Sequence, residues 1–293
     1  DDVRSLIPTS VKYTAALIGR DLSSDFMHFH RIEPTLGTMN WSGEKILFVH
    51  NDIQQQIADS QDKNAILWKY FPAGYFAMEN LAVKQFSQIY VCNTESLKLY
   101  QERYVGMAEQ IKYIRNAVDF DIFYPLTTEA KQKQRKEFAR RRGLAENTHF
   151  ILFAGRLHPQ KDPILLIRSL AELKDDRAHL LIAGDGDLKN EVASEIEALG
   201  LSNRVTMLGS VERAKLAELY RLSSTFILTS VYEGLPIVVL EALASGIPIV
   251  TTKAGETPNF LTSDSGMVTP DRTPKAISNA LQNILAHLED YPL

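Results

Sequence analysis

In residues 149–252, short apolar runs and longer amphipathic runs take turns, and this alternation narrows the possible folds more than any other feature of the chain. HFILFAG is followed by DPILLIRSLAEL, AHLLIAG by DLKNEVASEIEALG, RVTMLG by RAKLAELYRLS, TFILTS by PIVVLEALASG, and then comes PIVTT. The short runs are bounded by Gly or Ser and are apolar throughout, as strands buried on both faces are; the longer ones repeat apolar residues at helical spacing. Strands and helices alternating at this period predict right-handed βαβ units and a parallel sheet covered on both faces.

The first half alternates less cleanly. FMHFHR, KILFVH, QIYVCN and IKYIRN read as strands, and AGYFAMENLAVKQF and ESLKLYQERYV as helices. The pattern lapses after Asn116 through AVDFDIFYPLTTEA. The expected organisation is therefore α/β with a first domain over 1–118, a linker and first helix over 119–145, and a second domain over 146–293. The basic run KQKQRKEFARRRGL reads as a solvated helix opening the second domain, with a phosphate or anionic-membrane contact as the second reading. The aromatic residues Trp68, Tyr70, Phe71, Tyr75 and Phe76 read as helix packing into the first core, with an acceptor surface for glycan or lipid as the alternative.

A formal charge of −4 over 293 residues provides no basic field, which speaks against non-specific nucleic-acid binding. One cysteine, Cys92, excludes an internal disulfide and fits a reducing compartment. No apolar run approaches the roughly 20 residues of a membrane span, and DDVRSLIPTS lacks the pattern of a signal peptide. A cytoplasmic chain is expected, with room for peripheral contact at the inner membrane face.

In open parallel sheets, ligands sit beyond the carboxyl ends of the strands. After HFILFA comes Gly155, which permits a tight exit, and then Arg156 and Lys161 ahead of a helix starting near Asp162. Two cations beside a helix N-terminus suit a di-anion such as a diphosphate, and equally suit a surface loop. After TFILTS, Gly234 lets a ligand approach the backbone and Pro236 suits the first helical position. Glu233 then belongs to the loop and is expected outside the core. Glu241 lies more than a turn into an apolar helix and needs donors there; a sugar cis-diol or a neighbouring Lys or Arg would supply them. His28 and His30 project to one side of a strand, and His30 and His50 end adjacent apolar runs.

These elements, in this order, resemble the group-one (family-four) retaining glycosyltransferases of the GT-B fold. AGRLHPQKDPILLIRSLAEL is similar to that family's strand–GRL–K–helix element, LLIAGDGDLKNEV to its GDG turn, RVTMLGSV to its nucleobase loop, and EGLPIVVLE to its two glutamates with seven residues between. IRNAVDFDIFYP resembles its interdomain segment, with Arg115 and Ala117 in place of the usual proline and glycine. The resemblance covers roughly residues 25 to 285. It implies two Rossmann-like domains facing a central cleft, with Arg156 and Lys161 on the donor's diphosphate and Glu241 on the ribose hydroxyls. Glu233 and the amides of Gly234 and Leu235 would meet the donor sugar or its phosphate, and the backbone of Leu208, Gly209 and Ser210 the base. The turn from Gly184 to Gly186 would line the nucleotide cleft, His30 would approach the donor sugar, and His50 resembles another cleft histidine.

The activity so implied is retaining, metal-independent hexosyl transfer from a nucleotide diphospho-sugar to a glycan or lipid-linked glycan in polysaccharide biosynthesis, with uridine as the default base by analogy. No cofactor is expected. Two histidines spaced as HxH, or Asp185-Gly186-Asp187, would alternatively suggest a metal site, but the latter sits within the GDG turn. Residues 1 to 24 show no glycine-rich loop, so the first domain is expected to be shortened at its start. The alternatives are an epimerase or hydrolase of nucleotide sugars on the same scaffold, or a non-catalytic nucleotide-sugar-binding subunit.

Overall fold

The computed structural model describes residues 9–50 and 71–291. Two compact units divide the chain, Asp1–Arg115 and Asn116–Leu293. No helix among the described residues is long and apolar enough to cross a membrane.

The first unit runs α1 (Thr9–Leu17), β1 (Phe26–Phe29), β2 (Glu44–Val49), α2 (Pro72–Val83), β3 (Gln88–Val91), α3 (Thr94–Arg103) and β4 (Ile111–Tyr113). Its sheet is parallel in the order β1-β2-β3-β4. Leu47 and Val49 of β2 and Ile89 and Val91 of β3 alternate inward against Ala82 and Val83 of α2 and Tyr100 of α3. The helix α3 starts where the Asn93 side chain accepts from Ser96 N at 2.6 Å. It is tied to α2 through Glu79, which is fully buried. Glu79 accepts hydrogen bonds from Tyr100 Oη at 2.7 Å, from Tyr104 Oη at 2.5 Å and from Arg103 Nη1 at 3.0 Å.

The aromatic stretch divides in its roles. Trp68 and Tyr70 lie outside the described residues. Tyr75 is buried on α2, Phe71 is exposed, and Phe76 lies beneath the Arg103 guanidinium at 4.7 Å.

The second unit contains α4 (Thr128–Arg141), β5 (His149–Ala154), α5 (Pro163–Ala171), β6 (Ala178–Ala183), α6 (Lys189–Ala198), β7 (Val205–Gly209), α7 (Arg213–Leu222) and β8 (Thr225–Leu228). It continues with α8 (Ile237–Ala244), β9 (Ile249–Thr251), α9 (Thr257–Phe260), β10 (Gly266–Val268) and α10 (Pro274–Ala286). All six strands are parallel, in the order β10-β9-β8-β5-β6-β7. Every residue of β6, β8 and β9 is buried, and all of β5 except His149. That is why these strands read as unbroken apolar runs rather than alternating ones. The winding leaves β5 in one direction through β6 and β7 and returns on its other side through β8. The crevice between the ends of β5 and β8 is thus the topological switch point, where ligands of such sheets bind.

The basic run forms α4, but it is not solvated all round. Phe138 and Ala139 are buried, and Arg135 Nε donates to Leu222 O at 3.1 Å. Burial, and the charge of Arg135, push Lys131 down to about 8.

Candidate functional site

The loops leaving β5 and β8 are laced together at the switch point. Val231 N donates to Gln160 O at 2.8 Å, Gln160 Nε2 to Tyr232 O at 3.1 Å, and Thr229 Oγ1 to Lys161 O at 2.8 Å. The first loop is closed by Asp162, which takes a left-handed conformation (φ 45°, ψ 61°) and caps α5 by accepting from Leu165 N at 3.1 Å. Arg272 pairs with the same carboxylate at 2.6 Å, holding it in place.

The charges of these loops are arranged unequally. Lys161 Nζ lies 2.5 Å from Glu233 Oε1, and Ser230 Oγ donates to that same oxygen at 2.5 Å. Glu233 is therefore on the loop but 6% exposed, contrary to the expectation that it lies outside the core. An ion pair and a hydroxyl donor make its burial tolerable. Arg156 is exposed and forms no side-chain hydrogen bond or ion pair with the described residues. Gly234, Leu235 and Pro236 are buried. The amides of Gly234 and Leu235 find no acceptor among the described residues, while the carbonyls are engaged: Asn116 Nδ2 donates to Leu235 O at 2.6 Å and Glu256 N to Gly234 O at 3.0 Å. Buried amides without acceptors are rare and costly, so they are apt to meet a ligand oxygen.

The helix α8 starts at Ile237 with Pro236 as its flanking cap, one residue later than expected. Glu241 is buried, at 6% exposure. Its one hydrogen-bond partner among the described residues is Tyr220 Oη at 3.3 Å, whose single proton is shared with the nearer Val238 O at 2.9 Å. No cation lies within ion-pair distance of Glu241 among the described residues. Burial raises its pKa, and the Tyr220 hydroxyl opposes this only in part.

Beyond β6 and β7 the site is walled by backbone. Gly184 N donates to Gly209 O at 2.8 Å, and a Cβ at Gly184 would fall 1.9 Å from Gly155 O. Gly209 has φ 68°, which a side chain would strain. Leu208 and Ser210 line a cavity of about 340 Å³ together with Arg142, Val211, Glu212, Lys215 and Leu219. The last five, and Asn116, were not read as site residues from sequence. Only the half-apolar edge strand β7 followed by charges could have signalled the cavity, because its walls join the 208–219 stretch to Arg142, far away in sequence.

His30 and His50 belong to the first unit, each one residue past its strand, at the adjacent ends of β1 and β2. His30 Nδ1 and His50 Nε2 are 2.8 Å apart. Asp185 is paired with Lys189 at 2.8 Å, and among the described residues no three His, Cys, Asp or Glu side chains are grouped to hold a metal.

The model of the family described as glycosyl transferases group 1 matches residues 134–291. A relative of Methanocaldococcus jannaschii named as an uncharacterized glycosyltransferase, MJ1607, is 30% identical over 183 residues, 61% of this chain and 45% of the relative. An Escherichia coli protein named as UDP-Gal:alpha-D-GlcNAc-diphosphoundecaprenol alpha-1,3-galactosyltransferase is 27% identical over 184 residues, 61% of this chain and 46% of that one. The chain spans about half, or less, of the length of the curated relatives it matches. Among solved structures, Anabaena HepE in complex with UDP and glucose superposes with a TM-score of 0.75 at 19% identity, covering 99% of this chain and 75% of HepE. That likeness bears on the fold, which is the α/β GT-B fold. With the family model spanning the switch-point loops, both glutamates and the β7 edge, the chain belongs to the group 1 glycosyl transferases.

Proposed function

We propose that the chain transfers a hexosyl group from a nucleotide diphospho-sugar, with UDP as the nucleotide, to a hydroxyl of a glycan or lipid-linked glycan during polysaccharide biosynthesis, with retention at the anomeric carbon. The observation that carries this is the switch point of the second unit, where, among the described residues, Arg156 is unpaired, the amides of Gly234 and Leu235 find no acceptor, and Glu241 has a single long hydrogen bond. A pyrophosphate satisfies the first two, and the two hydroxyls of a ribose satisfy the third. UDP is favoured by the relatives whose names carry it.

As the bond between the anomeric carbon and the phosphate oxygen breaks, negative charge grows on the diphosphate. Arg156 and the amides of Gly234 and Leu235 stabilise that charge as it develops. Lys161 joins them, with Glu233 orienting its ammonium. The acceptor oxygen bonds to the same face of the anomeric carbon, and its proton passes to the departing phosphate oxygen. His30 and His50 meet the donor sugar, and Leu208, Gly209 and Ser210 the base. No metal is assigned a step, and work at the inner membrane face suits a lipid-linked acceptor.

The experiment is a thermal-shift screen against UDP-, GDP- and ADP-sugars, followed by incubation with donor alone and with acceptor, scoring transferred sugar, free sugar and epimer. UDP-sugars should raise the melting temperature and transferred sugar should dominate. Arg156→Ala should keep the fold and lower kcat by about 10²- to 10³-fold. A folded Arg156→Ala protein with undiminished turnover would refute the assignment, and epimer or free sugar as the main product would move it to the epimerase or hydrolase class.

A further inference from the structure

Three neighbouring strands of the first unit end in three side chains that can exchange hydrogen bonds. His30 follows β1, His50 follows β2 and Cys92 follows β3. The His30 and His50 rings lie within 14° of parallel with centroids 5.1 Å apart. With Nδ1 of one 2.8 Å from Nε2 of the other, that spacing is an in-plane N–H···N hydrogen bond. His50 Nδ1 lies 3.7 Å from Cys92 Sγ, and Cys92 is buried. The His30 ring rests on Phe48 at 5.1 Å, and Phe48 in turn on Tyr90 at 5.4 Å, so the outer imidazole is held by an aromatic floor.

A neutral imidazole has one donor and one acceptor nitrogen, so a chain of two imidazoles has a direction. Were His50 Nδ1 to carry the proton, it would point at a thiol sulfur, a weak acceptor, and His30 would have to donate from Nδ1 and face outward as an acceptor. In the opposite order the Cys92 thiol donates to His50 Nδ1, His50 Nε2–H donates to His30 Nδ1, and His30 keeps a proton on Nε2. Burial pushes the thiol pKa up, so the S–H is retained. Burial and the neighbouring His30 push His50 down, so its ring is neutral.

We propose that Cys92 is a positioning residue which, through His50, sets the proton order of this chain and leaves His30 with an Nε2–H donor for a sugar oxygen of the ligand. The choice of ligand rests on the function proposed above; the proton order does not.

The test reads histidine tautomers by long-range ¹⁵N–¹H NMR on the whole, ligand-free chain. In the parent protein both His30 and His50 should be protonated on Nε2. Cys92→Ser, which keeps a donor, should preserve this order. Cys92→Ala should convert His30 to a mixture of tautomers; Cys92→Val, which keeps volume without a donor, replaces it should the alanine variant unfold. With UDP-glucose as donor, loss of one hydrogen bond predicts a KM about fivefold higher in Cys92→Ala, little change in kcat, and recovery in Cys92→Ser. A parent protein with His30 protonated on Nδ1, or tautomers unmoved in Cys92→Ala, overturns the proposal. A chain that binds no nucleotide sugar fails the functional assignment, while the NMR result still decides the role of Cys92.

Discussion

A carboxylate inside an apolar helix is expensive unless something pairs with it, and among the described residues Glu241 is left with one 3.3 Å hydrogen bond. Its pKa is raised by burial above the ordinary value of 4.5. The unfolded chain therefore loses this proton at lower pH than the folded one. The stabilisation is fully present below the unfolded value and is lost as pH rises through the folded value. In chemical denaturation without ligand, the wild type should lose stability relative to Glu241→Gln as pH rises from 4.5 through the raised value. A constant difference across that range would refute it. The mutation should also weaken UDP binding, read as a smaller thermal shift. Glu241 was legible in sequence because nothing in an apolar helix calls for an acid. Glu233 was misread: its place on a loop was correct, but its burial depends on Lys161 and Ser230, and an ion pair 72 residues apart leaves no local pattern.

At the scale of elements, Glu79 binds α2 to α3 with donors from Tyr100, Tyr104 and Arg103. Removing it takes the shared acceptor from the buried Tyr100 and Tyr104 hydroxyls and breaks the ion pair to Arg103, so Glu79→Ala should destabilise the first unit by about 3–5 kcal/mol, measured by urea unfolding. An effect below about 1 kcal/mol would mean that the tyrosines repack freely. On α4 the sign differs. Lys131 is held near 8, so between 8 and its ordinary 10.5 the unfolded chain binds more protons and stability rises with pH. Lys131→Met should raise the melting temperature at pH 7, worth on the order of 1 kcal/mol after solvent screening, and the advantage should vanish by about pH 10. The central strands of the second unit were plain in sequence because both their faces are covered, so apolar residues dominate them. The inner face of α4 was hidden, because Lys and Arg bury their stems while their charge count suggests a solvated helix.

For the whole molecule, the two hydrophobic cores share no residue: one is drawn from Ile32 to Ile111, the other from Phe123 to Leu285. Scanning calorimetry should show a calorimetric enthalpy larger than the van't Hoff value, the mark of more than one cooperative unit. Equal enthalpies and a single peak would instead make the chain one unit. The division itself was suggested in sequence by the lapse of alternation after Asn116, but the strand order that makes the gap between β5 and β8 the switch point had to be seen, since it depends on which strands pair. At the wall made by Gly184, an added methyl would collide with Gly155 O, so this part of the frame does not tolerate side chains. Saturation libraries at position 184 would fill with misfolded clones, whereas Val211, Glu212 and Lys215, which line the cavity beside β7, can be varied without touching that frame.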